Sequence, residues 1–235
     1  MRIEGIKTVF VDLDDTIWWF GENSLLSLRH VYDLYGLTAY ASYEDFDKHY
    51  HDINGKLWSL YHYGKIARDF LVDERFRYTL EKIGYPCDKI VPVGKEMNEE
   101  YLHFLSLQRL LVPWAKEMLE YLSRRYDVNV LSNGFKGVQQ QKLRSGGIDC
   151  YINEVVLSDD CGVTKPLRGI FDYALERCGA QAETTVMIGD NYDTDVCGAR
   201  NAGWRAVFFN RSATPGDYPM ATAVVTSLAE VCDIL

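Results

Sequence analysis

Short β-branched runs, each followed by an amphipathic segment, recur along this chain and restrict its fold more than any other feature. The runs are TVFV (Thr8–Val11), VNVL (Val128–Leu131), INEVVL (Ile152–Leu157), TTVMI (Thr184–Ile188) and RAVFF (Arg205–Phe209). Between them lie VPWAKEMLEYLSRRY, KGVQQQKLRSGG, PLRGIFDYALERCG and DTDVCGARNAGW, each with helical periodicity. Strands alternating with helices of this length predict βαβ units and a parallel sheet. AVVTSLAEVCDIL adds one more strand and a closing helix.

The pattern breaks once. From Ile17 to Leu107 the residues show helical periodicity and no strand, over a stretch of about ninety residues that is far too long for a crossover. The expected architecture is therefore α/β: a doubly wound parallel-sheet, Rossmann-like core of residues 1–16 and 108–235, with an inserted α-helical domain over 17–107.

Composition narrows the function. With 34 acidic and 25 basic residues the net charge is -9. The basic stripe that a nucleic-acid polymer requires is missing, so no such partner is expected. The six cysteines are scattered without a CxxC, which suits reduced thiols in a cytosolic protein better than a disulfide framework or a zinc site. The opening MRIEGIKTVFVDLDD lacks the apolar segment of a secretion signal, and no apolar run approaches the ~20 residues of a membrane span. A cytoplasmic protein without membrane attachment, acting as monomer or homodimer, is the expectation.

In doubly wound sheets ligands bind beyond the carboxyl ends of the strands, so what each strand presents there matters most. The first ends in DLDDT, presenting Asp12, Asp14 and Thr16, followed by Trp18 and Trp19. The second ends in LSNG, presenting Ser132, Asn133 and Gly134. After the third comes TKP with Lys165, and the fourth ends in IGDNYDTD, with Asp190, Asp193 and Asp195. Carboxylates gathered at one edge repel one another unless a cation sits among them. An all-oxygen ligand set suits a hard divalent ion such as Mg²⁺, which commonly shares substrate phosphate oxygens. Lys165 and Ser132 beside the acids fit phosphate holders. One carboxylate can act as nucleophile, and a second two residues away as general acid and base. Lys165 at a helix start opposes the helix dipole, which makes sense where an anion lies between. Pro166 fits a first helical position.

DLDDT, LSNG, TKP and IGDNYDTD, in that order, resemble the four motifs of the haloacid dehalogenase superfamily of phosphohydrolases, and the insertion corresponds to its helical C1 cap. The resemblance spans the whole core. It implies Asp12 as nucleophile, Asp14 as general acid/base, Ser132 and Lys165 as holders of the phosphoryl group, and Thr16 as support for the loop. It implies Mg²⁺ on Asp12, Asp190 and the Asp14 backbone carbonyl, with Asp195 or Asp193 supporting the metal. The dehalogenase members lack the second aspartate of the first motif; Asp14 favours phosphate chemistry. Cap closure would then exclude water.

NGFKGVQQQKLRSGGI, KPLRGIFDYALE and INGKLWSLYHYGKI look like the bacterial nucleoside 5′-monophosphate phosphatases of that superfamily. The substrate expected is accordingly a small phosphomonoester, first a nucleoside 5′-monophosphate. Sugar or organic phosphates, a phosphomutase and a non-catalytic phosphate-binding module are the alternatives. Substrate contacts are expected from Thr16, Asn133, Gly134 and, by stacking on a base, Trp18 and Trp19. Asp15 reads as a solvated or capping acid, Arg68 and Arg75 as surface residues, and Trp58, Tyr61 and Tyr63 chiefly as core. None of the five histidines has a partner at metal-ligand spacing.

Overall fold

The computed structural model describes residues 2–235 and divides into two compact units, Met1–Phe20 with Arg109–Leu235, and Gly21–Gln108. Residues 17–20, grouped with the insertion in the sequence reading, belong to the sheet unit.

The sheet unit carries six parallel strands: β1 (Thr8–Val11), β2 (Asp127–Ser132), β3 (Glu154–Leu157), β4 (Thr185–Gly189), β5 (Arg205–Phe209) and β6 (Ala223–Val225), in the spatial order β3-β2-β1-β4-β5-β6. Every residue of β1 is buried, as expected where helices cover both faces of a parallel sheet and strands become continuously apolar. Val11 pairs with Val130 of β2 on one side and Ile188 of β4 on the other. The order reverses at β1, so the crevice beyond the ends of β1 and β4 is the topological switch point. Asp12 directly follows β1 and Asp190 directly follows β4.

The four helices of the insertion are α1 (Phe20–Leu34), α2 (Tyr43–His62), α3 (Arg68–Lys82) and α4 (Ile90–Ser106). Those of the sheet unit are α5 (Ala115–Ser123), α6 (Lys136–Gly146), α7 (Ser158–Cys161), α8 (Arg168–Cys178), α9 (Gly198–Asn201) and α10 (Val231–Ile234). One face of the sheet is closed by Phe10, Met187, Phe171 and Trp204, with the Trp204 ring 4.9 Å from Phe10 and edge-on to Phe171 at 5.2 Å. Such aromatic pairs contribute about 0.5–1.5 kcal/mol beyond the area they bury.

Three local expectations are corrected. The third strand starts at Glu154, because residues 149–151 form a tight 3₁₀ turn before it. Helix α8 starts at Arg168, so Pro166 is not its first residue; the Lys165–Pro166 bond is cis. DTDVCGARNAGW opens with a turn of π-helix, Tyr192–Cys197, before the short α9. Asn191 holds that wide turn by accepting the Asp193 and Thr194 amides at 3.1 and 3.0 Å.

The helical unit has a core of its own in which Tyr50, Phe76 and Tyr101 meet with ring centroids 4.9–5.6 Å apart. Arg75 is buried there rather than on the surface. Its Nε donates to Asn98 Oδ1 at 2.7 Å and its guanidinium lies 5.2 Å from the Tyr101 ring. Trp58 and Tyr61 are only half-buried and Tyr63 is exposed, so their expected core role fails; Trp58 and Tyr61 meet edge to face at 5.6 Å on the later turns of α2.

Candidate active site

The strand ends of the sheet unit bring three carboxylates, those of Asp12, Asp190 and Asp195, within 4.8 Å of one another. Each is fixed by a different device. The Asp12 amide extends the ladder by donating to Ile188 O at 2.9 Å. Asp190 is locked by Thr16, whose hydroxyl donates to Asp190 Oδ1 and accepts the Asp190 amide, both at 3.0 Å. Asp195 is turned back by the π-helical turn, and its Oδ2 accepts the Asn191 amide at 3.0 Å. A Cβ on Gly189 would lie 2.2 Å from that oxygen, so only glycine leaves room for Asp195 to enter. Asp193 is not part of the cluster; of the two acids left open by the sequence, Asp195 is the one that lies beside Asp12 and Asp190.

Lys165 stands between two of these acids, its Nζ donating to Asp12 Oδ1 and Asp195 Oδ1, each at 2.6 Å. Its backbone is gripped from both sides by the Asn133 side chain: the Lys165 amide donates to Oδ1 at 2.7 Å, and Nδ2 donates to the Lys165 carbonyl at 2.9 Å. Burial opposes the charge of Lys165, but Asp12 and Asp195 outweigh it and raise its pKa. Asp12 is raised well above the ordinary carboxylate value by burial, and further by Asp195 and Asp190, with Lys165 offsetting only part. Asp190 is pushed up to about 7, first by burial and then by Asp195 and Asp15.

With all three carboxylates ionised, one ammonium would leave two negative charges in a nearly closed site, which is the repulsion that raises Asp12 and Asp190. A divalent cation balances that excess, and hard oxygen donors are what Mg²⁺ takes. The donor set therefore fits the metal expected from the sequence, and Asp12, Asp190 and Asp195 are the carboxylates that could hold or support it.

Asp14 and Ser132 sit in a second network. Asp14 Oδ1 accepts from Lys142 Nζ at 2.6 Å and Oδ2 from Gln139 Nε2 at 2.8 Å. Ser132 Oγ accepts from Gln139 Nε2 at 2.8 Å and from the Gly134 amide at 3.1 Å. Asp15, at φ 58°, faces Arg211 at 3.5 Å, and that guanidinium lies 5.1 Å from the Trp19 ring.

Four expected substrate contacts are revised. Thr16 is fully buried and its hydroxyl is committed to Asp190. The Asn133 side chain is committed to Lys165. The Gly134 amide is committed to Ser132 Oγ, and a Cβ at this position would lie 2.1 Å from Gln139 Nε2. Trp18 is fully buried, with its ring 4.5 Å from the Lys142 ammonium, so it has no face to offer a base. Trp19 remains half-exposed. Sequence reasoning missed Gln139 and Lys142; their signal was a Gln and a Lys three apart, one turn into the helix that follows LSNG.

A model of haloacid dehalogenase-like hydrolases matches residues 6–203. The chain is 32% identical over 231 residues to the pyrimidine 5′-nucleotidase YjjG of Escherichia coli K12, covering 97% of this chain and 96% of that one. The pyrimidine 5′-nucleotidase PynA of Streptococcus pneumoniae is 27% identical over 206 residues, 87% of this chain and 84% of its own. The HAD-hydrolase YfnB of Bacillus subtilis is 30% identical over 210 residues, 89% and 86% of the two chains. Its crystal structure, described as bound to magnesium, superposes with a TM-score of 0.88 over 100% of this chain and 99% of that one, at 28% identity. With its motifs at the ends of β1, β2 and β4 and just beyond β3, this chain belongs to the haloacid dehalogenase-like hydrolase family.

Proposed function

We propose that the protein is a Mg²⁺-dependent phosphatase of small phosphomonoesters, with nucleoside 5′-monophosphates as substrates and a phosphorylated Asp12 as intermediate. The observation that carries this reading is the pairing of Asp12, beside Lys165, with a second acid, Asp14, one strand-end turn away. Two pyrimidine 5′-nucleotidases among the relatives, matched over most of their length, support the choice of substrate. The magnesium in the YfnB structure supports the metal.

An Asp12 carboxylate oxygen attacks phosphorus as the bond from phosphorus to the ester oxygen breaks. Asp14 gives its proton to that oxygen, and the alcohol leaves. Water then attacks the phosphorus of the acyl phosphate, Asp14 takes the proton, and Asp12 and inorganic phosphate are released. Lys165 and the Ser132 hydroxyl hold the phosphoryl oxygens, and Asn133 keeps Lys165 in register. Mg²⁺, when bound, neutralises negative charge on the phosphoryl group. In this reading the helical unit is the substrate-selecting cap.

Phosphate release across a panel of nucleoside monophosphates and sugar phosphates, with and without Mg²⁺, tests the proposal. Metal-dependent release strongest with the nucleotides is the expected result. Release strongest with sugar phosphates overturns the choice of substrate and keeps the chemistry. No release from any ester overturns the phosphatase reading.

A further inference from the structure

Helix α6 reaches the site through two residues to which no role has been assigned. Gln139 and Lys142 are three apart, so they share a helical face, and both are buried, at 0% and 3% exposure. Lysine is almost never buried unless paired, and here the partner is Asp14. Lys142 is further enclosed by aromatic rings, Trp18 at 4.5 Å and Phe20 at 5.4 Å, whose faces favour a cation.

Gln139 is built to serve two groups at once. Its Nε2 has two hydrogens; one goes to Asp14 Oδ2 and the other to Ser132 Oγ. The reversed amide would set Oε1 against a carboxylate oxygen, so this orientation is fixed. Its consequence is that Gln139 Oε1 is buried with no hydrogen-bond partner, a cost that persists at this position. The Ser132 hydroxyl has two acceptor lone pairs, and Gln139 and the Gly134 amide fill both. Its proton is left to donate elsewhere.

The geometry points to Gln139 and Lys142 as positioning residues of the reaction, a step that rests on the phosphatase reading above. Lys142 and Gln139 hold one oxygen each of Asp14, so the acid meets the ester oxygen in a set orientation. Gln139 also forces Ser132 to act as a donor, which is what a phosphoryl oxygen requires. One face of α6 thereby presets both the proton donor and part of the phosphoryl clamp.

The two roles separate by leaving group. An alkyl ester such as uridine 5′-monophosphate needs its leaving oxygen protonated, whereas 4-nitrophenyl phosphate expels a stable anion without help. The ratio kcat/KM covers the steps through release of that group. In Lys142→Met, kcat/KM should fall roughly 30-fold or more with the alkyl ester and less than about threefold with the aryl ester, the scale of a misplaced acid. In Gln139→Leu it should fall with both esters, and inhibition by inorganic phosphate should weaken about tenfold, a lost donor at the phosphoryl group. Thermal unfolding establishes that each variant is folded, and the Gln139→Leu readout stands by itself if Lys142→Met does not fold. Equal losses on the two esters in folded Lys142→Met, or unchanged phosphate inhibition in Gln139→Leu, overturn the inference while the phosphatase reading stands. Wild-type protein that hydrolyses neither ester removes that reading and the inference with it.

Discussion

Replacing Lys165 by methionine removes the ammonium and keeps most of the stem, which isolates the charge. In the native site this one group donates to two buried carboxylates at 2.6 Å each. Without it Asp12 and Asp195 face each other uncompensated, and breaking a buried pair in this way costs about 3–5 kcal/mol. At about 2–4 °C per kcal/mol for a chain of this size, the melting midpoint should fall by roughly 6–20 °C. The loss should depend on pH in a defined sense. Burial and mutual repulsion raise Asp12, and put Asp190 at about 7 against an ordinary 3.8. The folded state therefore keeps protons that the unfolded chain has released. Stability from such groups is present below the unfolded value and lost as pH rises through the folded one. Loss of Lys165 raises these acids further, so the penalty is small at pH 5 and full at pH 8. The assay is thermal unfolding of wild type and Lys165→Met with EDTA at both values, with Lys165→Met/Asp195→Asn as the partner variant. The double variant should recover at least part of the loss, because one of the stranded charges is gone. A Lys165→Met protein that melts with wild type at pH 8, or loses as much at pH 5, would refute the reasoning.

Other consequences follow from the same contacts. Because Asp190 holds a proton up to about 7, Mg²⁺ must displace it at lower pH. Asp12 is raised in the same sense, so calorimetric affinity should fall as pH drops from 8 to 5.5, by about tenfold per unit for each proton displaced, and a flat profile over that range would contradict this. Asn133→Ala strips both hydrogen bonds from the buried Lys165 backbone and should cost about 2 kcal/mol in denaturant unfolding; wild-type stability would count against the role given to it. Gly134→Ala places a Cβ on Gln139 and should lower activity by pushing the amide off Asp14 and Ser132, while Gly134→Ala/Gln139→Ala should regain stability without regaining activity. Full activity in Gly134→Ala would show that Gln139 is not needed where it stands.

What the sequence reveals here follows the physics of each residue. The strands were legible because a parallel sheet buried on both faces makes Thr8–Val11 and Arg205–Phe209 almost wholly apolar, and Asp12, which follows the first of them, contradicts that burial. The insertion was legible from its length, and its helical character from periodicity without a strand. Asp12 and Asp190 could be placed because each directly follows a strand whose end is fixed, and Lys165 because only the short α7 and a loop separate it from β3. Gln139 and Lys142 were not, since on an amphipathic helix a Gln and a Lys read as solvated until the packing shows which face turns inward. Trp18 was misread for the same reason: an aromatic after a strand end fits a ligand wall or a buried wall, and only the Lys142 contact at 4.5 Å distinguishes them. Asp193 and Asp195 could not be separated because a π-helical turn, which no local propensity marks, decides which one points back. Arg75 looked like a surface residue because nothing in the pattern announces a guanidinium held by Asn98 inside a helical core. Among the described residues no helix is long and apolar enough to cross a membrane.

The central claim is that Asp12 takes the phosphoryl group. Its most direct test is rapid acid quench of the protein during turnover of uridine 5′-monophosphate with Mg²⁺, then borohydride reduction and peptide mass analysis. Reduction of an acyl phosphate on Asp12 converts that residue to homoserine, and this is the expected product, absent without substrate. Modification of a different side chain, or undiminished phosphate release by Asp12→Asn, would contradict the account.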